Sequence, residues 1–216
     1  MEIIDTTKSL IENLYYLSGT AILTTIIIGL RQLVLTKRTF QISSQRAAAD
    51  LAARQIEIYF DKIIPLQNNV FRLELEKELK RVEIEMGEFH QDYLKEKIGK
   101  EEFDKQFNNR LPIGLEILKM ANAMEAFSVY FVKGVADEEI AYSSVGRTFC
   151  STVESYYFDI ASSLEKDDNK YWCNMIELYY TWSKRLKSEK LTVEKEKIAD
   201  QLASNQSQGV KPIGTN

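Results

Sequence analysis

The chain has 216 residues, a formal net charge of −4, and only 3 prolines and 9 glycines. So few helix breakers predict long helices and argue against sandwiches, barrels and Gly-rich nucleotide folds, which need many tight turns. The acidic balance gives no global basic surface for nucleic acid. We therefore expect an all-α protein: an N-terminal transmembrane helix that continues into a cytoplasmic multi-helix bundle.

The first predicted element is a transmembrane helix from Leu14 to Leu35. Residues 14–30 carry no charge, and at about 1.5 Å per residue they span roughly 26 Å, which the snorkelling side chain of Arg31 can extend. A cleaved signal peptide and a buried core helix are the alternatives. A signal peptide is disfavoured because residues 1–13 lack a basic region and no small-residue cleavage site follows the apolar run. A core helix is disfavoured because the run has no polar stripe. Residues 1–13 form the expected extracytoplasmic N-terminus.

Basic residues follow the span. The juxtamembrane basic residues are Arg31, Lys37, Arg38 and Arg46, and the only acidic residue between the span and residue 55 is Asp50. By the positive-inside rule, this asymmetry places the C-terminal side in the cytoplasm and the N-terminus outside. We expect a single-pass protein in contact with the lipid bilayer.

The cytoplasmic helical domain is predicted over residues 36–186. The span is expected to continue as one helix that ends near Pro65, because residues 31–64 contain no Gly or Pro. Its alanine-rich stretch, residues 47–53, is equally suited to packing against a second copy of the chain. Charges of both signs alternate over residues 70–110, which predicts a solvated helix with interruptions at glycines.

Candidate sites for chemistry are few. Glu85, Glu88, His90 and Asp92 lie close in sequence, but their spacing matches no metal-ligand pattern, and His90 is the only histidine. The chain also lacks the usual phosphate-binding, nucleophile and metal-binding motifs. We therefore predict no enzyme activity, no catalytic or metal site, no cofactor and no identified small-molecule substrate.

A helix joint is predicted at Gly134 and Asp137. Residues 113–133 have a broad apolar face, Gly134 fits the left-handed position that follows a helix, and Asp137 fits the N-cap of the next one. Glu138 then lies in a first turn, where the helix dipole favours acids. The joint suggests an antiparallel helix pair. It does not suggest DNA binding, because these acids would repel phosphate.

Aromatic residues are concentrated between Phe127 and Trp182. They could line a ligand pocket or stack on bases, but no basic groove accompanies them, so core packing is favoured. Cys150 and Cys173 fall in apolar helical patterns and are expected to be buried, reduced thiols, as in a cytoplasm. Residues 187–216 are expected to form a charged helix and a disordered tail.

The order of these parts resembles an uncharacterised bacterial family of small, single-span, membrane-anchored helical proteins that carry a domain of unknown function. The resemblance covers roughly residues 15–185, and its most specific part is NAMEAFSVYFVKGVADEEIAY, which includes Glu125, Gly134, Asp137 and Glu138. It implies the topology, the all-helical fold and a bacterial inner (plasma) membrane. It implies no activity and no catalytic residue.

Two functions are compatible with these features. The first is a docking or regulatory module whose cytoplasmic bundle binds another protein. The alternative is a self-assembling membrane effector of a bacterial stress or anti-phage response, in which Gly19, Thr20 and Thr24 would help the spans pack as a homo-oligomer. No nucleic acid is expected as a partner in either case.

Overall fold

The computed structural model describes residues 2–166 and 171–204, and it is all-helical over those ranges. The chain divides into two compact units, residues 1–48 and 49–216. In chain order the elements are α1 (Glu2–Ile58), a π-turn (Tyr59–Ile63), α2 (Ile64–Glu76), α3 (Gln91–Ile98), α4 (Lys100–Val132), α5 (Glu138–Ser155), α6 (Tyr157–Ser162) and α7 (Cys173–Ser204).

Helix α1 carries the apolar run and is long and apolar enough to cross a membrane. Its side chains from Leu14 to Leu35 are all exposed. The hydroxyls of Thr20 and Thr24 donate to carbonyls one turn back, the Thr24 bond to Thr20 O measuring 2.8 Å. These hydroxyl groups therefore have hydrogen-bond acceptors within the helix itself.

Pro65 does not end the helix, which corrects the sequence prediction. Inside a helix, a proline ring clashes with the carbonyl four residues earlier, which here is that of Asp61. Proline also has no N–H to donate a hydrogen bond to that carbonyl. Asp61 lies inside the π-turn, where the Ile64 N–H reaches back five residues to Tyr59 O. The wider turn accommodates the proline. The helical path then continues to Glu76.

The alternating-charge region is not one helix. Residues 77–90 form an irregular connector between α2 and α3. The Tyr157 hydroxyl binds this connector: it donates to Glu88 O (2.7 Å) and accepts from the Gly87 N–H (3.1 Å). Hydrogen bonds to a distant helix thus replace those that a local helix would have made. Gly99 does separate α3 from α4, with φ of +82°.

The core of the bundle is aromatic, as the sequence predicts. The Trp182 side chain on α7 is completely buried. Its ring centroid lies 5.1–6.3 Å from those of four other rings: Phe127, Phe131, Tyr142 and Phe149. Three of these pairs are edge-to-face and the Phe131 pair is tilted, and such aromatic contacts stabilise a core beyond the area they bury.

The two cysteines differ. Both are free, but only Cys150 is buried, whereas Cys173 is exposed at the start of α7. The expectation of two buried thiols is therefore wrong for Cys173. The apolar pattern around it belongs to the opposite face of α7, where Met175 and Leu178 are buried. Residues 205–216, which include most of the predicted disordered tail, lie outside the described residues.

Candidate functional site

The cluster around His90 is a helix cap. The His90 Nδ1 accepts a hydrogen bond from the Tyr93 N–H (3.1 Å) at the start of α3, and Nε2 lies 2.7 Å from Glu88 Oε2. The ring is nearly buried, with 7% exposure. Among the residues that the structure describes, no group of three or more His, Cys, Asp or Glu side chains could hold a metal ion.

The residues predicted to form a membrane span and its basic flank all lie on α1. The span boundaries Leu14 and Leu35 are exposed. So are the juxtamembrane basic residues Arg31, Lys37, Arg38 and Arg46.

Gly134 and Asp137 lie at the joint between α4 and α5. Gly134 has φ of +64°, a conformation that costs glycine little. The Asp137 carboxylate accepts from the Ile140 N–H (3.2 Å) and so caps α5. Helix α7 packs against both α4 and α5. Helices α4 and α5 also contact each other directly, because the ring centroids of Phe127 on α4 and Phe149 on α5 lie 6.0 Å apart.

Side chains of α4 bind the first turn of α7 and Trp172, the residue that precedes it. Glu125 accepts from the backbone N–H groups of Asn174 (3.3 Å) and Met175 (2.7 Å), and so caps α7 from across the bundle. Asn122 Oδ1 accepts from the Trp172 indole N–H at 2.8 Å.

The start of α5 holds α7 in the same way. Glu138 accepts from the Trp182 indole N–H, and Glu139 pairs with Arg185 at 2.6 Å. The Arg185 guanidinium also stacks on the Tyr142 ring, 3.8 Å from its centroid. The acidic residues Glu125, Glu138 and Glu139 therefore stabilise the packing of α7. The sequence offered no signal for their partners, which lie 44–50 positions away.

A buried ionic network joins α2, α4 and α6. Arg110 donates through Nε to Asp159, through Nη2 to Glu74 (2.7 Å) and through Nη1 to Lys80 O (3.2 Å). Arg81 binds the other Glu74 oxygen at 3.1 Å. The network thus holds two positive and two negative side chains and is neutral overall. Its Arg110, Glu74 and Asp159 side chains are at most 8% exposed.

Burial and ion pairing shift the pKa values of Asp159 and Arg110 in this network. Burial raises the pKa of Asp159 above its ordinary value, although Arg110 opposes the shift. Burial alone would lower the pKa of Arg110, but Asp159 and Glu74 together raise it. Because an arginine stays charged at any ordinary pH, Asp159 is the member of this pair that takes up a proton first as the pH falls.

An apolar cleft of about 260 Å³ opens beside the network, between α4 and α6. Arg110, Asp159, Ser162 and Ser163 form its polar part. The apolar wall consists of Phe107, Leu111, Gly114, Leu115, Ile117, Leu118 and Phe158. Large apolar side chains of this wall remain exposed, among them Leu111 at 56% and Leu115 at 65%. This "α4–α6 cleft" is the candidate functional site.

Sequence reasoning missed the α4–α6 cleft, although part of its signal was present. Phe107, Leu111, Leu115 and Leu118 recur at helical spacing, on a face different from that of the buried Ile117 and Met120. A helix with apolar residues on two faces buries only one of them in a small bundle. Which face stays open became visible only once α6 and α7 were placed.

Comparison with protein-family models, with curated proteins and with solved structures finds no match.

Proposed function

We propose that the protein is a membrane-anchored module that docks another protein at the α4–α6 cleft. In this proposal α1 crosses a bacterial plasma membrane with the N-terminus outside, and residues 49–204 face the cytoplasm. The positive-inside asymmetry of Arg31, Lys37, Arg38 and Arg46 supports this orientation.

The observation that carries the docking function is the exposed apolar wall of the α4–α6 cleft. Isolated exposed leucines are common, but a contiguous apolar patch beside buried polar groups is typical of interaction sites. Phe107, Leu111, Leu115 and Leu118 are 36%, 56%, 65% and 39% exposed and lie along three turns of one helix. A stripe of this kind is suited to the apolar face of another helix.

The experiment is site-specific photo-crosslinking of the full-length protein in the membranes of its own host. A photoreactive residue replaces Leu115 in one variant and Leu191 in the other, a matched control because both leucines are 65% exposed. We expect one defined polypeptide to be crosslinked at position 115 and not at position 191. Leu111→Asp, which puts a charge in the α4–α6 cleft, should abolish that product while the protein stays folded.

Native mass spectrometry of the gently extracted protein then gives the stoichiometry. A stoichiometric second polypeptide that Leu111→Asp removes supports docking. The proposal is wrong if the chain is recovered alone, or if the partner survives Leu111→Asp. A pure homo-oligomer that is lost when residues 1–35 are deleted would instead favour the self-assembling membrane effector.

A further inference from the structure

We propose that the partner fills the α4–α6 cleft with a neutral aromatic side chain, presented by a helix, whose single N–H or O–H donates to the Asp159 carboxylate. This inference rests on the proposed docking function and specifies the chemistry of the partner. Tryptophan and tyrosine have this chemistry, whereas phenylalanine, aspartate and glutamate do not.

The first argument is how α7 docks in this same protein. Two tryptophans attach α7 to the bundle: Trp172, the residue just before α7, is 6% exposed, and Trp182, within α7, is 0% exposed. Both side chains belong to the apolar core, and each donates its one N–H to a side-chain oxygen, that of Asn122 for Trp172 and that of Glu138 for Trp182. The bundle therefore already recognises a helix by donor-bearing aromatic anchors.

The second argument is that the α4–α6 cleft continues this interface. At about 100° per residue, Phe107, Leu111 and Leu118 lie on the same face of α4 as Asn122 and Glu125. From Asn122 onward, the start of α7 binds this face. Before Asn122, the leucines of the same face are exposed. A partner helix seated there would extend the packing that α7 begins.

The third argument is charge and hydrogen bonding. Two arginines balance two carboxylates in the network, so the α4–α6 cleft offers no net charge to attract an ionised anchor. Three of the five N–H groups of Arg110 already donate, to Asp159, Glu74 and Lys80 O. Among the described residues, no side chain other than that of Arg110 donates to the Asp159 carboxylate, which therefore keeps capacity to accept.

The fourth argument is size. The α4–α6 cleft, at about 260 Å³, lies just below the range of roughly 300–1,000 Å³ that is usual for drug-sized ligands. A single large side chain suits it better than a cofactor does. Buried aromatic anchors in pockets of this kind dominate the binding energy of many protein interfaces.

The test tethers small probes in the α4–α6 cleft of the full-length protein in mild detergent. Gly114 lines the cleft, and a Cβ added there would meet nothing within 4 Å. Gly114→Cys therefore supplies a thiol, in a chain that also carries Cys173→Ser. The probes are mixed disulfides of 2-(indol-3-yl)ethanethiol, of its N1-methyl homologue and of 2-(3-carboxyphenyl)ethanethiol, equilibrated with excess 2-mercaptoethanol. Labelling is measured by intact mass.

We expect the indole to label the Gly114→Cys protein about tenfold more than the N-methylindole does, because a hydrogen bond to a charged acceptor is lost. The carboxylate should label least. The natural chain, with its exposed Cys173, is the matched control and should show no such preference. Asp159→Asn should reduce the preference for the indole, because a neutral amide accepts more weakly than a carboxylate.

Equal labelling by the indole and its N-methyl homologue, or preferred labelling by the carboxylate, overturns the inference. Neither result depends on the partner. If crosslinking at Leu115 still identifies a partner, docking stands and only the anchor chemistry is wrong. If the indole is preferred and no partner is crosslinked, the site chemistry stands and docking is wrong.

Discussion

Replacing Glu125 with alanine should loosen the first turn of α7. The N-terminus of a helix has backbone N–H groups without partners inside the helix. In this protein Glu125 of α4 supplies acceptors for two of them, at Asn174 and Met175, and for the Asn174 side-chain amide at 2.6 Å. The negative charge also suits the positive end of the helix dipole. Glu125→Ala removes all of these interactions together.

The expected loss is about 2 kcal/mol in the free energy of unfolding. Losing an N-cap costs about 1 kcal/mol, and a hydrogen bond to a charged group contributes about 1.5–3 kcal/mol. The lower part of that sum applies, because Asn174 is only half-buried and water replaces some of the lost bonds. For a unit of this size the loss lowers Tm by about 4–8 °C. Glu125→Gln keeps an acceptor without the charge and should lose about half as much.

The assay is urea unfolding of the full-length protein in mild detergent, followed by tryptophan fluorescence. Both tryptophans of the chain, Trp172 and Trp182, lie at the interface of α7, so the signal reports its docking. Glu177→Ala is the matched control, because Glu177 is an exposed acid near the start of α7. The reasoning is refuted if Glu125→Ala and Glu177→Ala unfold within about 0.5 kcal/mol of each other.

Local signals predicted the all-helical fold and the α4–α5 joint. Gly134 and Asp137 act on residues within a few positions, through backbone conformation and capping, so their sequence is sufficient to locate the turn. The buried face of α4 also followed from spacing, because a helix of this length in a bundle must cover one apolar stripe.

Long-range partners could not be predicted. The connector at residues 77–90 has the composition of a helix, but hydrogen bonds from Tyr157, 69 positions from Glu88, compete with helical ones there. The capping of α7 by Glu125 and the ion pairs of Arg110 likewise join residues 36–50 positions apart. Composition identifies such residues as charged, and only the placement of the helices shows which are buried.

The α4–α6 cleft illustrates the same limit. Its leucines share helical spacing with core residues, and nothing in the sequence tells an occupied face of α4 from an open one. Arg110 alone would be assigned to the surface, because buried arginines are rare unless they are paired. Its partners Glu74 and Asp159 come from helices on either side of α4 in the sequence.

Three further substitutions test the backbone and the buried network by the same unfolding assay. Gly114→Ala should stabilise the protein by about 0.5–1 kcal/mol, because Gly114 lies inside a helix with open space around it. Gly134→Ala should instead cost about 1 kcal/mol, because Gly134 has φ of +64°. Equal changes in the free energy of unfolding would contradict both expectations. Burial raises the pKa of Asp159 in the folded chain above the ordinary value of 3.8. At a pH between 3.8 and the raised pKa, Asp159 therefore keeps its proton in the folded chain and releases it in the unfolded chain. The contribution of Asp159 to stability is therefore greatest at low pH and falls as the pH rises through that window. Because Asp159→Asn cannot ionise, the natural chain should lose stability relative to this variant as the pH rises above 3.8 and through the raised pKa of Asp159. A constant difference in stability, or one that grows in favour of the natural chain, would show that folding does not oppose the ionisation of Asp159.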